Sequence, residues 1–194
     1  MTLQYVVIYL HGFLSSPQSK KASQTIEFVK ANYPDLILEI PQLANYPNDA
    51  VAIIEQKIAE HHGKKLRFIG SSLGGFLASF MVEKYSGKAV LVNPAVRPFD
   101  LLVDFLGAHI NPHTQQPFLL KNQHIDELRY MDTPTLNPKS DYWVLLQTAD
   151  ETLDYRQAEA KYQNYKLSIE QGGDHGFQDF QRFLPDIFRF LLQD

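Results

Sequence analysis

Two rhythms of apolar residues alternate along the chain. One is a short, nearly continuous run rich in β-branched and aromatic side chains: Tyr5–Leu10 (YVVIYL), 36–40 (LILEI), 66–69 (LRFI), 89–92 (AVLV), 142–146 (YWVLL) and 165–169 (YKLSI). Such runs predict strands, and the most continuous of them predict strands covered on both faces. The other rhythm spaces apolar residues three and four apart. Lys20–Asn32 carries Ala22, Ile26 and Val29, and residues 49–61 carry Val51, Ile54 and Ile58. Residues 73–82 are apolar almost all round, and residues 155–162 form a further segment. These predict helices, the third of them central and buried. Tyr33-Pro34 stops the first; Asp49 is expected to cap the second and Gly63 to end it. The chain closes on an amphipathic pattern of Phe180, Phe183, Leu184, Ile187, Phe188 and Leu191, in which Pro185 predicts a kink or a fresh start.

Strand and helix in regular alternation predict an α/β fold, with a mostly parallel sheet and helices on both faces. The alternation lapses over residues 95–141. There the pattern predicts only two short helices, 99–106 and 124–130, on either side of a polar, proline-containing stretch at 111–117. An irregular segment of that length is expected to serve function, and it reads as a small cap inserted into a single domain spanning residues 1–194. In parallel sheets ligands gather beyond the carboxyl ends of the strands. His11, Ser72, Asn93, the residues after Leu146, and His175 all follow a predicted strand at that end. They are expected to share one site.

Composition narrows the classes. At 194 residues, 44% hydrophobic and 21% charged, the chain has the make-up of a soluble globular protein. A net charge of −4 without a basic stripe argues against a nucleic-acid partner. The absence of cysteine excludes disulfides and thiolate metal sites. The apolar run at Tyr5–Leu10 is too short for a signal sequence or membrane span, so no membrane partner and a cytoplasmic location are expected. The sequence leaves the oligomeric state open.

The most informative stretch is Phe68-Ile69-Gly70-Ser71-Ser72-Leu73-Gly74-Gly75. A strand, a turn with glycines two before and two after a serine, and then an apolar helix make a G-x-S-x-G elbow. The sharp turn is expected to crowd the Ser72 Cβ, which glycine at 70 and 74 would relieve, leaving the hydroxyl raised above the sheet edge. Ser71 lies one place outside that frame and reads as structural. A serine hydroxyl needs a base, and the base an orienting acid, in the chain order Ser, acid, His. His175 is the last histidine and sits in a glycine-flanked loop, Gly172-Gly173-Asp174-His175-Gly176, so it is the expected base. Asp150, just beyond the 142–146 strand, is the expected acid; Glu151 and Asp154 are the fallbacks, each expected to complement the dipole of the next helix. For an oxyanion, the expected backbone donors are Leu73 N–H at the helix start and Phe13 N–H in the first loop, where His11 and Gly12 support the approach. Other histidines do not build a metal site. His61-His62 end a helix, and His109 and His113 are separated by Asn111-Pro112, so no metal and no cofactor are expected.

Taken together, the motifs resemble those of the α/β-hydrolases, and specifically of the small bacterial YqiA-type esterases. The resemblance covers nearly the whole length. It rests on His11-Gly12-Phe13 with Ser15-Ser16-Pro17, Ile40-Pro41-Gln42-Leu43, Gly70 to Gly75, Asn93-Pro94-Ala95-Val96-Arg97-Pro98, Asp154-Tyr155-Arg156-Gln157, and Gly172-Gly173 with His175. It implies carboxylic-ester hydrolysis with Ser72 as nucleophile, Asp150 as acid and His175 as base, on a sheet that lacks the first strands of larger relatives. In this sequence Leu14 stands where relatives tend to carry Asn, and Ala149 where many carry Gly. The same machinery would also cleave acyl thioesters. A non-catalytic binding protein on this fold would be expected to show a broken triad or a lost elbow glycine, and neither occurs here.

Overall fold

The computed structural model describes residues 4–193; residues 1–3 and 194, the ends of the expected domain, lie outside the described residues. Six strands form one sheet: β1 (Tyr5–Leu10), β2 (Ile37–Glu39), β3 (Lys65–Ser71), β4 (Lys88–Val92), then β7 (Asp141–Gln147) and β8 (Lys166–Glu170). Their order is β2-β1-β3-β4-β7-β8, and each neighbouring pair is parallel. Parallel neighbours need crossovers, which α1 (Lys20–Asn32), α2 (Pro47–Glu60), α3 (Leu73–Tyr85) and α6 (Tyr155–Lys161) supply. The chain ends on α7 (Leu184–Leu191).

Alternation along the strands sorts the core into two layers. Val6, Ile8, Leu10, Phe68, Leu91 and Val144 face α2, α3 and α6, meeting Ile54, Phe76, Met81 and Tyr162. Val7, Tyr9, Ile69, Val90, Val92 and Leu145 face α1 and α7, meeting Val29, Leu184, Ile187 and Phe188. β1 lies between β2 and β3, so the chain leaves it in one direction and later returns on its other side. That reversal opens a crevice at the carboxyl ends of β1 and β3, where Leu10 and Gly70 lie side by side in register.

Several boundaries differ from the sequence reading for local reasons. α2 begins two residues earlier than Asp49: Tyr46 is its N-cap and Pro47 occupies the first turn, where a missing N–H costs nothing. Asp49 is a first-turn acid, not the cap. The closing segment makes the fresh start that Pro185 predicted: a 3₁₀ turn over Phe180–Phe183, then α7 with Pro185 in its first turn.

The larger difference is in residues 95–141. α4 (Pro98–Leu102) runs into a 3₁₀ turn (Val103–Phe105), and α5 (Asn122–Tyr130) matches the second expected helix. Between them lies an antiparallel hairpin, β5 (Gly107–Ile110) and β6 (Pro117–Leu120), that the sequence reading did not contain. Asn111 builds its tip. Its carboxamide oxygen accepts the N–H groups of His113 and Thr114 at 2.9 and 3.0 Å, and its amide donates to Asn45 Oδ1 at 2.6 Å. A polar turn residue thus organises two four-residue strands. Phe118 and Leu120 point inward and Leu119 outward.

Candidate active site

Three loops converge at the crevice. The elbow between β3 and α3 carries Ser72, whose backbone sits at φ 56°, ψ −122°. A non-glycine residue there is strained. Its surroundings hold it in place: Ser72 N–H donates to Val92 O at 3.2 Å, and Ser72 O accepts from Gly75, Phe76 and Ala95. The elbow glycines act differently from the expectation that they clear the serine Cβ. A Cβ on Gly70 would lie 2.4 Å from the Gly74 carbonyl oxygen, and one on Gly74 would lie 2.0 Å from that of Leu10. They permit α3 to seat its first turn directly against the ends of β3 and β1. At Gly12 the closest neighbour is the serine itself: an added Cβ would fall 3.3 Å from Ser72 Cβ.

The loop after β8 brings His175 Nε2 to 3.1 Å from Ser72 Oγ. On the ring's other side, Nδ1 lies 3.0 and 2.9 Å from the two oxygens of Asp150. The Asp150 side chain is 2% exposed and that of His175 25%. Burial by itself would raise the Asp150 pKa. Hydrogen bonds from His175 and from the Leu153 and Thr152 N–H groups outweigh it and hold the carboxyl below its usual value, ionised at neutral pH. The two fallback acids make bonds other than to the His175 ring. Asp154 caps α6 and binds Arg156. Glu151 accepts the backbone N–H of His175 at 2.9 Å, so it braces the loop, which corrects its reading as a dipole-complementing acid.

The first loop supplies the facing wall. His11 is 3% exposed; its Nδ1–H donates to Gly12 O at 2.9 Å, leaving Nε2 to accept Leu43 N–H at 3.1 Å. Burial pushes its pKa down, partly offset by the bond to Gly12, so the ring is a neutral tie between the loops after β1 and β2. Leu14, at φ 50°, turns the chain in the left-handed region that Asn adopts more easily than Leu. Phe13 sits edge-on to Phe105 and Phe118 at 6.1 and 6.2 Å, which joins this loop to the hairpin segment. Beneath it lies a cavity of about 20 Å³, lined by Phe13, Leu14, Leu43, Leu73, Leu77 and Asn111 among others. Phe99 and Leu102 are buried in the core, while Phe105 stays half exposed.

Residues placed near the site by sequence but given no role there, Asn93 and Gln147, hold the His175 loop. Asn93, at φ 40° after β4, donates to Asp174 O at 3.0 Å and His175 O at 3.3 Å, while its oxygen accepts Gln147 N–H at 3.0 Å. The buried Gln147 side chain accepts from Asp174 and Gln178 N–H at 3.2 and 2.8 Å. Gly173, at φ 79°, leaves the space that this side chain fills: a Cβ there would lie 2.0 Å from its oxygen. From the other side, Lys21 Nζ donates to Gly176 O at 2.7 Å.

Among the described residues, Glu39, Glu60 and His61 are the one group of potential metal ligands that come within 4.8 Å of one another. Lys57 already bridges the two carboxylates, at 3.4 and 2.8 Å, and His61 binds Glu39 at 2.9 Å. The charges of that cluster are met by side chains. His109 stacks on Phe118 and lies 2.6 Å from Phe105 O, while His113 belongs to the hairpin turn.

The six-stranded parallel sheet and its nucleophile-type elbow define an α/β-hydrolase fold. Solved structures bear this out at low sequence identity. A protein of Agrobacterium vitis S4, described only provisionally as a hydrolase, superposes with a TM-score of 0.80 at 16% identity, covering 98% of this chain and 89% of that one. Est1E from Butyrivibrio proteoclasticus gives 0.72 at 14%, covering 96% and 86%. A monoacylglycerol lipase of Paleococcus ferrophilus gives 0.67 at 14%, covering 96% and 94%. More specifically, residues 6–192 match the model of an Uncharacterised protein family (UPF0227), and the chain belongs to that family. No helix among the described residues is long and apolar enough to cross a membrane.

Proposed function

We propose that the protein is a serine carboxylic-ester hydrolase acting on short-acyl substrates through an acyl-enzyme. The observation that carries this reading is the unbroken chain from Ser72 Oγ through the His175 ring to a buried, ionised Asp150. Asp150 holds the Nδ1–H tautomer, which leaves Nε2 with a lone pair aimed at the serine hydroxyl. In acylation Ser72 Oγ bonds to the substrate carbonyl carbon as its proton moves to His175. The Leu73 N–H opens α3 and has no acceptor within the helix; with the Phe13 N–H it receives the oxyanion. Collapse breaks the bond to the alcohol oxygen, which takes the proton from His175. Water, deprotonated by the same ring, then releases the acid. Residues 95–141 serve as the cap of a single domain, and a cytoplasmic setting is part of the proposal.

The short-acyl preference rests on the space beside the elbow. The cavity there is only about 20 Å³ and the polar Asn111 forms part of its wall, so it offers no deep apolar tunnel to bury a long chain. Each buried methylene contributes about 0.8 kcal/mol, or roughly fourfold in kcat/KM. Along p-nitrophenyl esters from acetate to palmitate, assayed below micelle-forming concentrations, kcat/KM is expected to rise over the first few carbons. It should then flatten or fall beyond roughly six, where further methylenes stay in water. A steady climb to the long chains would contradict the reading. The matching acyl thioesters, run in parallel, test ester preference.

A further inference from the structure

Lys20 and Lys21 occupy the first turn of α1, which contains no acidic residue. Cations are disfavoured there, because the helix dipole presents its positive end. Helix chemistry therefore gives no reason for a lysine at position 21, and its partners do. The side chain leaves α1 to reach Gly176 O at 2.7 Å, one residue beyond His175. Asp174, from the histidine loop, and Asp150, from the loop after β7, face its ammonium with favourable charge, and Lys20 on its own helix opposes it. Glu151 and His175 lie on those same two loops, tied to each other by the His175 N–H. The loop that Lys21 grips is irregular, with positive φ at Gly172, Gly173 and Phe177. Asn93 and Gln147 hold its Asp174–His175 side. Lys21 holds the other.

Resting on the serine-hydrolase reading above, we propose that Lys21 is a positioning residue of the triad: its ammonium pins the Gly176 carbonyl and faces Asp150 and Asp174, so that His175 sits squarely on Ser72 only while Lys21 is charged. Burial lowers the Lys21 pKa to about 8, against the pull of the two carboxylates, so this charge is lost as the pH rises through about 8. The neutral amine still donates a hydrogen bond, but one about half as strong as its charge-assisted counterpart.

The test uses the rate of reaction with a fluorophosphonate, which requires Ser72 and His175 but no product release. Ser72 Oγ bonds to phosphorus, fluoride leaves, and His175 takes the serine proton. Rate constants are measured from pH 6 to pH 10 for the intact protein and for Lys21→Arg and Lys21→Met, with adducts mapped and melting temperatures recorded. The intact protein is expected to lose about five- to tenfold in rate across a transition centred near pH 8. Lys21→Arg should keep the neutral rate and lose that alkaline fall, since guanidinium stays charged throughout. Lys21→Met should be about tenfold slow at pH 7, with no alkaline transition left. A tether that only stabilised the fold would lower the melting temperature without removing the transition. If Ser72 is labelled but Lys21→Met keeps the intact protein's profile, the Lys21 assignment is overturned while the hydrolase reading stands. If no form labels at Ser72, both fall.

Discussion

The strained backbone of Ser72 makes a quantitative prediction about stability and activity together. At φ 56°, ψ −122°, a residue with a Cβ carries a conformational cost of about 1–3 kcal/mol, which glycine avoids. Ser72→Gly and Ser72→Ala both remove the hydroxyl and its bond to His175, so that loss cancels between them. The difference that remains is strain relief in the glycine variant, minus the about 0.5–1 kcal/mol that glycine's greater unfolded-state freedom costs. The balance favours Ser72→Gly over Ser72→Ala by about 1 kcal/mol. For a domain of this size that is a melting temperature higher by about 2–4 °C. Both variants should be inactive towards esters. Reversible thermal unfolding by circular dichroism or calorimetry, on the two variants side by side, reads the difference directly. A glycine variant equal to or less stable than the alanine variant would refute the inference that the elbow holds stored strain.

Asp150→Asn should leave the fold intact and lower kcat on the order of 10⁴-fold, because an amide at that position presents an N–H to His175 Nδ1 and selects the wrong tautomer. Steady-state turnover of a short p-nitrophenyl ester measures it. Asp154→Asn is the control: losing the carboxylate that caps α6 and pairs with Arg156 should affect stability by no more than about 1 kcal/mol and leave kcat alone. Reversal of that order would mean that the acid has been misassigned.

The fold was largely readable because its determinants are local and periodic. Buried parallel strands announce themselves as apolar runs, and Tyr5–Leu10 and Lys20–Asn32 fall where the pattern puts them. The β5–β6 hairpin was not readable. A four-residue strand carries only two alternations, and Gly107–Ile110 with Pro117–Leu120 is held by the Asn111 turn and by Phe118 packing beneath Phe13, which are tertiary facts. At the site, Ser72, Asp150 and His175 were legible because spacing and chain order constrain them, and the structure brings all three together. Asn93, Gln147 and Lys21 were not assigned a role because they act on loop carbonyls and amides from distant elements, and no local spacing marks such a bond. The elbow glycines were found for the right positions and the wrong reason. Their lost side chains make room for the Leu10 and Gly74 carbonyls, a clash visible only once β1 and α3 are placed.

The most direct measurement is the site of covalent modification. The protein is treated with a fluorophosphonate at neutral pH, its intact mass is recorded, and the adduct is located by peptide mapping. One equivalent should attach, at Ser72, and the Ser72→Ala variant should take up none. An adduct at Ser71 or any other residue, or a folded protein that stays unmodified, would contradict the assignment of Ser72 as the nucleophile.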